Sequence, residues 1–579
     1  MRLPKLKEIP TSRVLIDAFG GYNHNLRIGD GEFYDMTNLT SSDYPVLSPR
    51  PKRAVYASPQ KLQGLIVKDN PCYVDGGDFI VNGNRVPMQL ADGQKTLISM
   101  GAYVIIMPDK KWVNTEKTSE HGDVEASVTT TNTVTFELCK LDGEGYKDAL
   151  PQDTAPSDPN NLDLWLDTSG TPNVLRQYSE ANEQWVAIAT TYIKISSPGI
   201  GEPFAEGDGV TISGIEDERL KDLNNTMIVW ARGEHYIVVT GILDRVISQD
   251  KPIMVERLMP KMDFIIESEN RLWGCRYGVA NNGQVVNEIY ASKLGDFKNW
   301  NCFAGISTDS YVASVGSDGR FTGAITHLGY PLFFKENSMH KVYGNYPANY
   351  QIQTTACRGV QRGSAKSLSI VNEVLYYKAR NAICAYDGSL PIEISSALGD
   401  VNYKDAVAGT LGNKYYISMA DDSGVYHLFV YDTKKGLWHK EDNTEAKQFC
   451  PWRGDLLYIE ERDGKDVIMS VLGNGNEAES RVRWKAETGI IGTDMPDKKY
   501  VSRLDVRLSV TLGTRLYFYI QYDSSGEWEH IFTWAGRNLS SFSIPIRPRR
   551  CDHLRLRIEG DGEAKIFSIC KTIEQGSNL

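Results

Sequence analysis

The chain has 579 residues, of which 41% are apolar and 10% aromatic, and a formal net charge of −11. That apolar content excludes a disordered chain, and the length predicts about three to four ordinary domains, or fewer if one of them is a large repeat ring. The acidic balance excludes phosphate binding over the whole surface, which needs clustered Lys and Arg, and fits a soluble, acidic assembly component.

Residues 1–58 read as an extended, Pro-containing N-terminal arm, because Pro and Gly at this density break helices. No apolar core follows Met1-Arg2-Leu3-Pro4, so no signal peptide is expected, and no apolar run is long enough for a membrane span. The arm carries Arg2, Lys5, Lys7, Arg13, Arg50, Lys52 and Arg53, which are candidate contacts to an acidic neighbour. The plainer reading is a solvated arm.

Residues 59–117 alternate in the β manner. Leu65-Ile66-Val67, Cys72-Tyr73-Val74, Phe79-Ile80-Val81 and Ala102-Tyr103-Val104-Ile105-Ile106 are strands, with a hairpin signal at Asn82-Gly83. They form a first propeller blade. Residues 118–258 break that rhythm and read as one or more inserted β modules. Leu164-Trp165-Leu166-Asp167 and Gln184-Trp185-Val186-Ala187-Ile188 are strands, and residues 215–224 are a short helix.

Blade rhythm resumes over residues 259–478. Arg271-Leu272-Trp273-Gly274-Cys275 pairs with Glu288-Ile289-Tyr290-Ala291 across a turn at Asn281-Asn282-Gly283. Leu332-Phe333-Phe334 pairs with His340-Lys341-Val342-Tyr343. Three similar units follow, opening on Val374-Leu375-Tyr376-Tyr377, Lys414-Tyr415-Tyr416-Ile417 and Asp455-Leu456-Leu457-Tyr458. A recurrence of roughly 40 residues is that of a β-propeller, whose units bury their apolar faces only on one another. About six blades can be counted, with a seventh completed by the lead-in. Residues 479–579 carry a second alternating pattern (Leu504, Val506, Leu508, Val510) and read as a C-terminal antiparallel β-sandwich. The fold class expected is therefore all-β: a propeller of six to seven blades, an inserted β module and a sandwich.

The chemistry-bearing residues are sparse. Nine scattered Cys without CxxC spacing argue against disulfides and zinc and suit a reducing cytoplasm. The nine His show no HxxH or HxxxH pair, so no metal or cofactor is expected. The adjacent carboxylates Glu460-Glu461 and Asp421-Asp422 lie in or near hairpin turns, where neighbours point apart, and no nucleophile motif is present, so no enzyme is expected. Arg453-Gly454-Asp455 spells an adhesion tripeptide but fills a tight turn. The densest basic cluster is Arg547, Arg549, Arg550, Arg555 and Arg557. Arg549, Arg550, Arg555 and Arg557 join the arm residues as candidate subunit contacts, against the plainer reading of an exposed sheet face balanced by Asp552, Glu559 and Asp561.

Several strings resemble virion structural proteins of tailed bacteriophages and prophages of Gram-positive hosts. They are Phe19-Gly20-Gly21-Tyr22-Asn23 with Phe33-Tyr34-Asp35-Met36-Thr37-Asn38-Leu39, then Ser99-Met100-Gly101-Ala102-Tyr103-Val104 with Pro108-Asp109-Lys110-Lys111. Pro548-Arg549-Arg550-Cys551-Asp552-His553 and Arg557-Ile558-Glu559-Gly560 continue the likeness, and Leu164-Trp165-Leu166-Asp167-Thr168 with Pro172-Asn173-Val174-Leu175 is similar to a small module of phage tail proteins. The blade array is also similar in plan to tail-hub and DNA-stabilising propellers. The resemblance implies a structural protein of the virion, made in the host cytoplasm. It would hold tail, adaptor or portal components at the tail or head–tail junction, as a homo-oligomeric ring. The alternative is a host-surface glycan-binding protein of a tail fibre or baseplate, with a host cell-wall glycan as partner and a shallow groove of Tyr and Trp. A third reading, a glycan-cleaving propeller, requires inward carboxylates about 5–10 Å apart.

Overall fold

The structure, a computed structural model, describes residues 9–146, 149–280, 283–495, 497–536 and 538–576. Among them, seven antiparallel sheets follow one another as blades. Blade 1 runs from Leu62–Val67 to Asn84–Pro87, and blade 2 from Thr96–Met100 to His121–Asp123. Blade 3 begins at Phe264–Ser268, blade 4 at Gly323–His327, blade 5 at Ser369–Val371, blade 6 at Lys404–Leu411 and blade 7 at Gln448–Trp452. The stretch read as one blade is thus two. The turn expected at Asn281-Asn282-Gly283 falls partly outside the described residues.

The ring follows from strand parity. Successive side chains of a strand point to opposite faces, so the second strand of each blade feeds two neighbours. Val104 and Ile106 pack with Cys72, Val74 and Phe79 of blade 1, whereas Ile105 packs with Leu272 of blade 3. Trp273 and Cys275 meet Phe333 of blade 4, while Leu332 and Phe334 meet Leu375 and Tyr377 of blade 5. Tyr376 meets Tyr415 of blade 6, and Tyr416 meets Leu456 and Tyr458 of blade 7. Leu457 and Ile459 then pack with Leu62 and Leu65 of blade 1, which closes the circle. These strands are buried on both faces, which is why they read as nearly continuous apolar runs.

Backbone hydrogen bonds close the ring as well. Ala54–Ala57, from the lead-in, pairs with Lys465–Ser470 and supplies the fourth strand of blade 7 before the chain enters blade 1. Arg50, Lys52 and Arg53, expected as contacts to a partner, are instead engaged within the chain: Lys52 reaches Glu477 at 3.0 Å, and the two arginines are buried and anchor that strand. Arg50 grips Glu479 with both terminal nitrogens at 2.8 Å, and Arg53 reaches Glu441 at 2.6 Å and Asp442 at 2.8 Å. Burial alone would raise the Asp442 and Glu479 carboxyls, but the two guanidiniums hold both below the usual range.

The rest of the lead-in does not form a separate arm. Thr11–Ile16 pairs with Ala564–Gln575, and Glu32–Thr37 pairs with Arg483–Thr488. The lead-in therefore completes both sheets of the sandwich: four strands in one, six in the other. Phe19, Tyr22, Phe33, Met36, Leu39 and Leu47 fill the space between the sandwich and blades 5 and 6. Gly21 is required there: its φ is +81°, and a Cβ would stand 2.4 Å from the Trp438 carbonyl of blade 6.

The insertion leaves blade 2 at Ala126–Thr129 and returns at Met254–Arg257, two strands that pair with each other. It holds a four-stranded and a five-stranded sheet over a core including Phe136, Ile193, Val210 and Val255. A further four-stranded sheet, from Leu150–Gln152 to Gln184–Ala187, carries Trp165 and Tyr178, each edge-to-face with Trp185. The helix expected within 215–224 is a 3-10 turn at Glu218–Leu223.

Candidate interaction surfaces

The remaining expected contact residues separate into four places. Arg2, Lys5 and Lys7 lie outside the described residues. Arg13 stands on the outer face of the four-stranded sheet, its side chain 67% exposed, 3.8 Å from Asp505, with Nε donating to the Cys570 sulfur at 3.4 Å. Arg503 and Arg507 flank it because Leu504, Val506 and Leu508 take the inward positions of the same strand. Together with Ser541, Ser543 and Ser568 they line a groove of about 590 Å³ that is net basic, since Asp505 is the one acid among its lining residues.

Arg549 and Arg550 are exposed in the loop before Leu554–Asp561. Arg549 lies 5.0 Å over the Tyr522 ring and 3.8 Å from Glu529.

Arg555 and Arg557 stand on the outer face of the six-stranded sheet, two strands' width from the groove's sheet, and both are paired from within. Arg557 donates to Glu487 at 3.2 and 2.9 Å, and Arg555 does so at 3.5 Å. Their planes are occupied as well: Arg557 lies 3.9 Å over Trp528 and Arg555 4.6 Å over Tyr34. Glu487 sits directly across the ladder from Arg557. A carboxylate 70 residues away in the chain thus neutralises what the sequence presents as a free basic cluster.

Sequence reasoning passed over the tyrosines of this face. Leu516, Phe518 and Ile520 are buried, so Tyr517 and Tyr519 point outward beside His530. The alternation was the available signal. Tyr517 also borders a groove of about 400 Å³ with Arg483, Lys485, Glu559 and Asp561. Tyr519 has its phenol pushed up by burial and by nearby Glu559.

On the propeller, a polar cavity of about 420 Å³ opens beside blade 5, lined by Lys378, Arg380, Glu393 and Asp400 among others. Burial pushes the Lys378 ammonium down to about 8, and it donates to the carbonyls of Ala379 and Arg380. The adjacent carboxylates of the sequence have separate partners: Glu460 takes Arg462, Glu461 takes Lys447, and Asp421 takes His427. In the adhesion-like tripeptide, Asp455 is turned inward, 2% exposed, and accepts from Ser470 and Asn474. Among the described residues, no three His, Cys, Asp or Glu side chains are grouped to hold a metal ion.

No protein-family model matches the chain, and no curated protein does. Solved structures do match it. An exo-β-1,3-galactanase from Phanerochaete chrysosporium, with galactose, matches at TM-score 0.22 and 8% identity over 53% of this chain and 94% of its own. The Pyrococcus horikoshii acylaminoacyl peptidase matches at TM-score 0.23 and 11% identity over 51% of this chain, which spans about half (49%) of the peptidase. A GH43 glycoside hydrolase engineered for endo-xylanase and exo-arabinofuranosidase activity matches at TM-score 0.20 and 9% identity, over 54% and 96%. The expectation that this chain is not an enzyme is corrected here. Its structural neighbours are named as glycoside hydrolases and a peptidase, and a missing sequence motif excludes no activity. At these scores the likenesses assign it no particular reaction.

Proposed function

We propose that the chain is a structural subunit of a bacteriophage virion that holds neighbouring subunits at the tail or the head–tail junction. The observation that carries this reading is the path of the lead-in. One segment closes blade 7, fills the gap beside blades 5 and 6, and completes both sheets of the sandwich. Propeller and sandwich thereby become one stiff body, which suits a part that transmits load between neighbours. Of the phage-like strings named above, some lie in this same lead-in and in the sandwich, and the others in blade 2 and the insertion.

Its neighbours are other virion proteins (tail, adaptor or portal components) and further copies of itself in a closed ring. The basic groove of Arg13, Arg503 and Arg507 is the contact for an acidic neighbour. Quantitative mass spectrometry of purified particles tests the reading. The chain is expected at a fixed copy number in intact virions, and its absence from them would end the proposal.

A further inference from the structure

The outer face of the six-stranded sheet sets two tyrosine rings on one strand beside a groove with charges of both signs. Tyr517 and Tyr519 are two residues apart on Arg515–Tyr522, so their side chains leave the same face roughly 7 Å apart. Neither is covered by another layer; their ring neighbour is His530, at 6.5 and 5.4 Å. A tyrosine ring is an apolar plate with a polar tip, and such plates are used where a ligand has both an apolar and a hydrogen-bonding side.

The adjoining groove supplies the polar half. Arg483 and Lys485 stand against Glu559 and Asp561, two charges of each sign. Asp561 Oδ1 is buried there and accepts no hydrogen bond, and Arg555 Nε, on the same face, donates none. A ligand hydroxyl that reaches either atom restores the missing hydrogen bond.

The choice of ligand class follows from what the face lacks. Its charges cancel, so a polyanion gains little; the Arg13 groove on the other sheet is the place for one. The aliphatic side chains of its strands, such as Leu516, Ile520, Leu556 and Ile558, are turned inward, so an apolar protein patch finds no counterpart. A ring-shaped, uncharged, polyhydroxylated ligand fits both the plates and the groove.

We propose that this face binds a neutral carbohydrate chain, stacked on Tyr517 and Tyr519 and hydrogen-bonded at one end by Glu559 and Asp561. The proposal is independent of the virion reading and stands or falls without it.

The full chain is to be screened against printed neutral oligosaccharides of glucose, galactose and N-acetylglucosamine, with acidic oligosaccharides alongside, and hits titrated by calorimetry. Binding to a neutral chain is expected. Tyr517→Ala and Tyr519→Ala should each weaken it at least tenfold, while Lys251→Ala, on the exposed surface of the insertion, leaves it unchanged. Since a tyrosine variant can misfold, hydrogen exchange on the unaltered protein provides a second measure: the sugar should slow exchange in residues 515–522 and 554–561. No neutral ligand, binding of acidic oligosaccharides alone, or a footprint elsewhere overturns the proposal.

Discussion

The lead-in meets the rest of the chain at two junctions built from different materials. At the propeller, Ala54–Ala57 is fixed by buried charge: Arg50 and Arg53 against Glu441, Asp442 and Glu479. At the sandwich, Thr11–Ile16 and Glu32–Thr37 are fixed by backbone pairing and by apolar side chains such as Phe33 and Met36. Buried ion pairs add little net stability over an apolar replacement, but losing one partner strands the others in a medium that cannot solvate them. An apolar junction degrades in proportion to the volume removed. The first is therefore a lock with one register, since Ala54–Ala57 can slide only by unpairing three carboxylates. The second tolerates gradual change.

The sharpest way to break the comparison is Arg53→Ala. Both terminal nitrogens of Arg53 serve carboxylates, and its side chain is 2% exposed. Removing it leaves Glu441 and Asp442 without their hydrogen-bonded cation and with only Arg50, 3.8 and 3.7 Å away and already committed to Glu479. We expect a loss of about 3–5 kcal/mol, the cost of an orphaned buried charge, measured by chemical denaturation. A triple replacement of Arg53, Glu441 and Asp442 by Met, Leu and Leu should recover most of it. If the single variant costs less than about 1 kcal/mol, the cluster is not a lock.

Met36→Ala tests the other junction. Met36 is fully buried, and truncation should cost about 2–5 kcal/mol. Unlike the arginine, it has a conservative rescue: Met36→Leu should lose less than about 1.5 kcal/mol, because volume is all that this position supplies.

Acid should separate the two junctions. His439 of blade 6 is pushed down to about 3 by burial and by Lys414, and His340 of blade 4 to about 4 by burial and by Lys335. In the unfolded chain each takes a proton near 6.5, which the fold refuses, so stability falls as pH drops below 6.5 towards those values. The depressed carboxyls Asp442 and Glu479 act in the same sense at lower pH. Their contribution is full above the ordinary values of 3.8 and 4.5 and is lost as pH falls through their lower folded values. The two histidines belong to the propeller, so the separation holds above pH 5; at lower pH the sandwich junction is weakened too, because Asp35, against its burial, is held below the ordinary carboxyl value by Lys485 and Lys440. Between pH 7 and pH 5 the propeller should lose on the order of 1–3 kcal/mol, and His439→Gln should flatten that slope in pH-dependent denaturation.

The sequence is most readable where a strand is buried on both faces. Leu375, Tyr376 and Tyr377 form an apolar run because blades 4 and 6 each claim alternate members, and such runs mark blades 3 to 7 plainly. Outer strands leave almost no trace: Ile392–Glu393 and His121–Asp123 are short and largely exposed. Residues 59–117 read as one blade because the strands at the boundary of its two blades, Asn84–Pro87 and Thr96–Met100, are short and largely exposed or half-buried. The pairings of the lead-in were out of reach for another reason. Val14 pairs with Lys571, and no local pattern encodes a partner at that separation. The candidate contacts were legible by type but not by state. Arg555 and Arg557 stand on one face, as alternation requires, yet Glu487 had already claimed them.

The smallest expected effect is at Arg13, and it discriminates best between holding the fold and holding a neighbour. Its strand is kept in the sheet by the backbone ladder to residues 569–574, to which its side chain is incidental. The guanidinium is 67% exposed and its ion pair with Asp505 spans 3.8 Å, a geometry that water and salt screen effectively. Arg13→Ala should therefore leave the unfolding midpoint unchanged within error. Arg13→Glu should do the same, because the strand's inward positions are untouched. If this groove receives an acidic neighbour, the Glu variant must fail to enter particles assembled alongside the unaltered chain while remaining folded. A variant that unfolds would make Arg13 part of the junction, and one that assembles normally would move the contact elsewhere on the surface.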